Sequence, residues 1–321
     1  MKIGVVGSGA LGCFYGGRLC RTGHDVHLLL RGSYEAVAKN GLRIQGPEGD
    51  LLVHPHAHND PEDVGECDLV MVCLKTTANH QFTSLIPPLL NKDTAILCLQ
   101  NGLGNCEELA GSFGAQRIIG GLCFVCLNRT EPAVVHHIAF GKVVMGNFGR
   151  PAGKRIRAIA ETFKEARIPC EVSDNLEQSQ WEKLVWNIPF NGLGVAATAG
   201  LKALEGGEIP KDLNPVKPTN QLLNEPDWEE WVRGLMAEII TVANAKGLEV
   251  ESGLADQMIN YTRDMAEYRA STLIDFERGQ SLEMESMFLE PYRQAQATGT
   301  KTPRLEALCN ILNKLNIDKC V

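Results

Sequence analysis

The chain has 321 residues, 44% hydrophobic and 22% charged, with a formal net charge of −8. This is the composition of a globular protein long enough for two domains. The acidic balance argues against nucleic acid or an anionic membrane as partner, and no apolar run reaches the roughly 18 residues that cross a bilayer.

Residues 3–6 form a short, apolar, β-branched run, the pattern of a buried parallel strand. Gly7-Ser8-Gly9-Ala10-Leu11-Gly12 follows without a gap, and a helical pattern (Phe14, Tyr15, Leu19) starts at once. Each glycine has a physical task. Gly7 permits the tight turn, Gly9 leaves room for a pyrophosphate against the backbone, and Gly12 lets helix and strand pack closely. The helix N-terminus offers unsatisfied N–H groups and the positive end of its dipole to phosphates. The glycine-broken apolar stretch is not a signal peptide. The 11 cysteines lack framework spacing, and Cys73, Cys98 and Cys123 lie inside apolar runs. Reduced thiols and a cytoplasmic location are therefore expected.

Residues 24–30 read as the second strand, and Arg31 follows it. An acidic residue there would accept from the ribose 2′-hydroxyl of NAD. Arg31 suits a 2′-phosphate instead, and Asp25 lies at the other end of the strand, so NADP(H) is the expected cofactor. Residues 32–66 read as a helix and short strands. His54, His56 and His58 alternate along one of them, on one face. With no cysteine or carboxylate nearby in the sequence to complete a ligand set, they read as an exposed polar edge strand, and no metal is expected.

Residues 68–74 and 94–99 are further buried strands, ending near Lys75 and at Gln100-Asn101-Gly102. Ligands in open α/β sheets sit beyond such carboxyl ends, so Gly7, Arg31, Lys75 and Asn101 share one functional edge. Residues 118–126 read as another buried strand, whose Cys123-x-x-Cys126 pair reads as packed thiols. Residues 133–138 and 142–146 suggest an antiparallel pair. A helix near 154–167 and a strand at 170–172 close a first domain of residues 1–175. Residues 176–321 read as helical, interrupted by a long irregular loop over 205–227 rich in Gly, Pro and Asn.

In the second domain Lys183, Asn187 and Asn191 are spaced i, i+4, i+8 and share one helical face among apolar residues. Spacing alone leaves open a solvated face or a lined cleft. Ser281 reads as a helix cap, with Glu283 in the first turn.

The motif Gly7–Gly12, Arg31, Val72-Cys-Leu-Lys75, Gln100-Asn101-Gly102-Leu-Gly104, Trp181-x-Lys183-Leu-x-x-Asn187-x-x-x-Asn191, and Ser271 twelve residues before Glu283 resemble, in order, the ketopantoate reductase (2-dehydropantoate 2-reductase) family. The resemblance covers nearly the whole chain. It implies an α/β fold with a Rossmann-type N-terminal dinucleotide-binding domain and an all-α C-terminal domain. It also implies NADPH-dependent reduction of a small 2-oxo acid to a 2-hydroxy acid.

By that resemblance Lys183 is the catalytic proton donor, and Asn187, Asn191 and Ser271 contact substrate. Asn101 lies near both cofactor ribose and substrate, Cys126 contacts the cofactor through its backbone, and Glu283 is a carboxylate near cofactor and active site. A homodimer is the expected assembly. Three departures stand out. Gly192 replaces the proline that usually follows the second asparagine, and Pro189 is expected to kink the helix, which leaves the placement of Asn191 open. Glu290-Pro291 stands where the family tends to have glycine. The 205–227 loop is expected to reshape the pocket. A relative acting on another 2-oxo or 2-hydroxy acid, and a non-catalytic nucleotide-binding protein, are the competing readings.

Overall fold

The computed structural model describes residues 1–265 and 267–317. The chain divides into two compact units, Met1–Leu176 and Glu177–Val321. The first unit opens with β1 (Lys2–Val6), α1 (Ala10–Arg21), β2 (Asp25–Leu29), α2 (Tyr34–Asn40), β3 (Leu42–Gln45), β4 (Leu51–Val53) and β5 (His56–His58). It continues through β6 (Cys67–Val72), α3 (Phe82–Leu85), β7 (Leu90–Cys98), α4 (Asn105–Phe113), β8 (Ile118–Glu131), β9 (Val134–Asn147), α5 (Lys154–Glu165) and β10 (Cys170–Ser173).

All ten strands join one sheet in the order β4-β3-β9-β8-β7-β6-β1-β2-β5, with β10 added on β9. From β5 to β8 every pairing is parallel. That run has the strand order of a dinucleotide-binding fold, with its topological switch point between β1 and β6. The inner strands are buried on both faces, as their unbroken apolar text requires: Ile3, Val5, Val6 and Leu69 to Val72 are all 0% exposed. Burying each such side chain contributes about 1.5–3 kcal/mol.

Beyond β8 the sheet departs from expectation. Residues 133–138 and 142–146 do not pair with each other. They are the two halves of β9, and their antiparallel partner is β8 along its length. Phe140 (φ 63°) and Gly141 (φ 134°) break β9 locally and read as a turn in the sequence, but the register only shifts there and the strand continues. Cys123 and Cys126, three residues apart on β8, point to opposite faces of the strand. The described cysteines are free thiols. Burial pushes the Cys170 and Cys309 thiols up to about 12.

From Glu177 on, the second unit contains α6 (Leu176–Ala196, its first residue counted in the first unit), α7 (Leu201–Gly206), α8 (Thr219–Asn224), α9 (Pro226–Ala245), α10 (Leu254–Arg263) and α11 (Ser271–Glu277). A π-helical turn over Glu285–Leu289 leads into α12 (Glu290–Ala297), and α13 (Pro303–Ile317) follows. The central helix is α6. From Asn187 to Ala199 every residue is buried, so this segment is enclosed on all sides by its neighbours. It runs through Pro189 as one helix.

The irregular stretch is shorter than the expected 205–227. Residues 207–218 lack helix, and beyond them Glu225 alone in this stretch separates α8 from α9. Leu222 and Leu223 anchor α8 in the core, and Pro226 occupies the first turn of α9, where its missing N–H costs nothing. Ser281 is not a cap either: it precedes the helix by several residues, and the Glu283 carbonyl accepts from the Met287 N–H at 3.3 Å. Among the described residues no helix is long and apolar enough to cross a membrane.

Gly192 is explained by packing. A Cβ there would lie 2.6 Å from Leu308 Cδ2 on α13 and 3.0 Å from the Phe288 ring. The α6–α13 approach thus needs the missing side chain. Gly192→Val is predicted to overpack this contact and cost about 1–3 kcal/mol, measured as a lowered urea midpoint with an unchanged slope.

Candidate active site

In the first unit the site grows from the β1–α1 turn. Gly7 has φ 98°, and a Cβ on it would lie 2.3 Å from the Leu74 backbone nitrogen, just past β6. A Cβ on Gly12 would lie 2.4 Å from the Gly7 carbonyl oxygen and 2.9 Å from Val5. A Cβ on Gly9 would meet no atom within 4 Å. Two glycines close the turn and the third leaves it open, so the backbone between them is accessible to a ligand. Helix α1 has no side-chain cap and no acidic residue in its first turn. Its terminal N–H groups therefore face outward with the dipole's positive end.

The turn is fastened from below. Ser8, 8% exposed, donates its hydroxyl to the Val5 carbonyl at 3.4 Å. Its own carbonyl accepts from the Cys13 thiol at 3.3 Å and from Arg129 Nη1 at 2.9 Å. Burial pushes the Cys13 thiol up to about 11, against the pull of the Arg129 charge, so it stays a neutral donor. Arg129 Nη2 is buried and has no hydrogen-bond partner among the described residues. No local motif marked Arg129: it lies 121 residues from Ser8 and reaches it only because β8 continues past the core sheet. Guanidinium nitrogens are well matched to phosphate oxygens, and the open glycine turn beside this one fits a dinucleotide.

The other residues of the expected edge fall in a row. Adjacent parallel strands β2, β1, β6 and β7 end at Leu29, Val6, Val72 and Cys98. Arg31, Gly7, Lys75 and Asn101 come one to three residues later. Arg31 and Lys75 are exposed, and Asn101 is half-buried. Gln100 ties two of these ends together, donating to the Leu74 carbonyl at 3.0 Å and to Asn79 Oδ1 at 2.8 Å. Asn105 holds the Asn101 carbonyl at 3.0 Å. Cys126 lies within β8, paired with Ala139, and not at a strand end.

In the second unit α6 presents Lys183 half-buried and Asn187 and Asn191 buried. The two asparagines differ. Asn191 donates to the Asn187 carbonyl at 3.0 Å and accepts from the Ser271 hydroxyl at 3.3 Å and the Thr272 N–H at 3.1 Å. It thereby caps α11 from a neighbouring helix, a task the sequence did not reveal. The Asn187 side-chain amide makes no hydrogen bond to any described residue, although Asn187 is only 7% exposed. The amide is therefore uncommitted at the accessible tip of an otherwise buried residue, as a ligand-facing group would be. The structure thus joins Asn187, Asn191 and Ser271 in one patch. Glu283 is half-buried at the start of the π-helical turn, a feature found often at functional sites.

The histidine strand requires a correction. Sequence placed no carboxylate near it, but β5 pairs with β2, and Asp25 Oδ1 stands 3.3 Å from His56 Nε2.

Residues 3–150 match the family model described as ketopantoate reductase PanE/ApbA, and residues 216–316 match its C-terminal counterpart. The 2-dehydropantoate 2-reductase of Nostoc sp. is 35% identical, over 98% of this chain and 95% of that protein. This chain belongs to the ketopantoate reductase family. A crystal structure of 2-dehydropantoate 2-reductase from Geobacter metallireducens superposes with a TM-score of 0.89 at 42% identity, over 98% of this chain and 99% of that one. D-mandelate dehydrogenase bound to NADH and anilino(oxo)acetate shares the fold, with a TM-score of 0.83 at 19% identity over the whole of both chains. The chain is accordingly an oxidoreductase of this family, with a Rossmann-type unit followed by a helical one.

Removing the side chain of Asn191 leaves the Thr272 N–H without its acceptor. Asn191→Ala is predicted to lower stability by about 0.5–2 kcal/mol, the range for loss of a cap, measured by chemical unfolding.

Proposed function

We propose that this protein reduces 2-dehydropantoate to pantoate, with NADPH bound at the glycine turn and Lys183 as the proton donor. The relatives named for this reaction, at 35% and 42% identity over nearly the full chain, support the substrate. The observation that carries the cofactor reading is the turn itself, closed at Gly7 and Gly12 and open at Gly9.

Residues Gly7 to Gly12 hold the pyrophosphate through backbone N–H groups and the α1 dipole. Arg129 keeps the Ser8 carbonyl turned inward and offers its unpartnered Nη2 to a phosphate oxygen. Arg31 and Lys75, exposed cations after the strands on either side of β1, hold the 2′-phosphate and the remaining phosphate charge, which favours NADPH over NADH. Asn101 positions the nicotinamide ribose and the substrate, and Cys126 contributes a backbone contact to the cofactor.

When bound, NADPH would supply the hydride for the C2 carbonyl carbon of the 2-oxo acid. As negative charge builds on the C2 oxygen, the Lys183 ammonium stabilises it and delivers the proton that completes the hydroxyl. Asn187 donates its uncommitted amide to a substrate oxygen. Asn191 and Ser271, bonded to each other, act at the same patch with the hydrogen-bonding capacity left to them. Glu283 orients Lys183 or accepts from the cofactor ribose, and a change in kcat against one in NADPH affinity distinguishes the two roles.

The features that favoured a different acid have structural explanations. Gly192 serves helix packing, and the irregular stretch is confined to residues 207–218.

Lys183→Ala is predicted to bind NADPH within about twofold of wild type while kcat falls by about 10²–10⁴, the usual contribution of a positioned acid. Turnover near the wild-type rate would remove Lys183 from the chemistry. Gly9→Ala should fold with unchanged stability, because its Cβ meets no protein atom, yet lose NADPH affinity, read by fluorescence titration. Unchanged affinity would place the pyrophosphate elsewhere.

A further inference from the structure

We infer that the β2–β5 edge of the first unit carries a binding site for a divalent transition-metal ion, with Asp25, His27 and His56 as ligands. Strand β2 starts with Asp25-x-His27, and β5 consists of His56-x-His58. The period of two puts each pair on one face of its strand. The parallel register sets His27 beside His56 and Leu29 beside His58. The side chains converge as a result. His27 Nε2 lies 3.0 Å and His56 Nε2 3.3 Å from Asp25 Oδ1, and one ligand atom from each residue lies within 4.8 Å of the others.

The two carboxylate–imidazole separations are those of neighbouring ligands in a coordination sphere. An ion about 2.0–2.1 Å from each ligand sets neighbouring ligand atoms about 2.9–3.4 Å apart, from octahedral to tetrahedral angles. The His27 and His56 rings stack with centroids 4.6 Å apart and planes 19° apart, so both Nε2 atoms turn toward the same carboxylate. The His27 side chain is 11% exposed, that of Asp25 50% and that of His56 64%. One ligand is anchored and two are open, which gives an entry path and leaves coordination positions for water.

His58 supplies the outer support. Its Nε2 is 2.9 Å from His27 Nδ1, and its ring stacks on that of His27 at 5.0 Å. Asp25 can only accept, so without metal His27 donates its Nε2–H to Asp25 and accepts at Nδ1 from His58. With an ion on Nε2, the His27 proton sits on Nδ1 and is donated to His58. The same contact then fixes the tautomer and ring orientation of a metal-bound histidine.

Two imidazoles and one carboxylate suit Zn²⁺, Ni²⁺ or Cu²⁺ and not Mg²⁺ or Ca²⁺. The ligands come from two strands joined by a long excursion through α2, β3 and β4, so the ion cross-links a short edge strand to the sheet. Polar residues that merely protect an edge from pairing need no such convergence.

The test uses tag-free, full-length protein stripped with a chelator and titrated with ZnCl₂, followed by equilibrium dialysis and thermal unfolding. One Zn²⁺ should bind per chain and raise Tm, while MgCl₂ does neither. His56→Gln and Asp25→Asn, both at exposed side chains, should each weaken Zn²⁺ binding at least tenfold and abolish the Tm rise while NADPH affinity is retained. His80→Gln, at an exposed histidine outside the cluster, should bind as wild type. Absence of saturable binding, or binding that survives both His56→Gln and Asp25→Asn, would overturn the assignment.

Discussion

Everything at the cofactor edge depends on one close approach. Strand β1 ends at Val6 and helix α1 begins at Ala10, and the turn between them is too tight for a side chain at Gly7 or Gly12. This contact brings the helix N-terminus against the carboxyl end of the sheet, beside the start of the loop after β6. The same contact leaves Gly9 as the open position. Arg129 and Cys13 then fix the Ser8 carbonyl from beneath, so the backbone donors of the turn are oriented before any ligand arrives. Preorganised donors of this kind gain affinity by avoiding an ordering cost at binding.

The helical unit solves a different problem. A helix enclosed on all sides can carry polar groups only if each is satisfied or reserved. Along α6 the stripe divides on that basis. Asn191 is spent on α11, where it replaces a local cap. Asn187 keeps its amide uncommitted, and Lys183 lies half-buried one turn earlier. The polar stripe is thus in part a structural brace, and in the proposed reaction the remainder faces the substrate; spacing alone does not separate the two.

Much of this was legible in the sequence because it is local. The glycine fingerprint, the apolar runs of β1, β6 and β7, and the residues following them all follow from short-range pattern, and so do the Rossmann-type and helical divisions. What was not legible depends on partners far along the chain. Phe140 and Gly141 mimic a turn, so β9 read as two strands until its register with β8 was known. Arg129 carries no motif and acquires its role only through the length of β8. Asp25 seemed irrelevant to the histidines because parallel pairing, not sequence proximity, brings it to His56. Residues 219–224 read as loop from their polar text, although Leu222 and Leu223 supply an anchor that turns them into a helix.

In the proposed function this edge and this stripe serve the reduction of one particular 2-oxo acid. The most direct measurement follows NADPH oxidation by absorbance, with 2-dehydropantoate compared against a panel of branched and aromatic 2-oxo acids at matched concentration. The account predicts kcat/KM for 2-dehydropantoate at least tenfold above the others, with NADPH preferred to NADH. Turnover confined to other 2-oxo acids would contradict the substrate assignment, and the absence of NADPH oxidation with every acid would contradict the catalytic reading of Lys183 and Asn187.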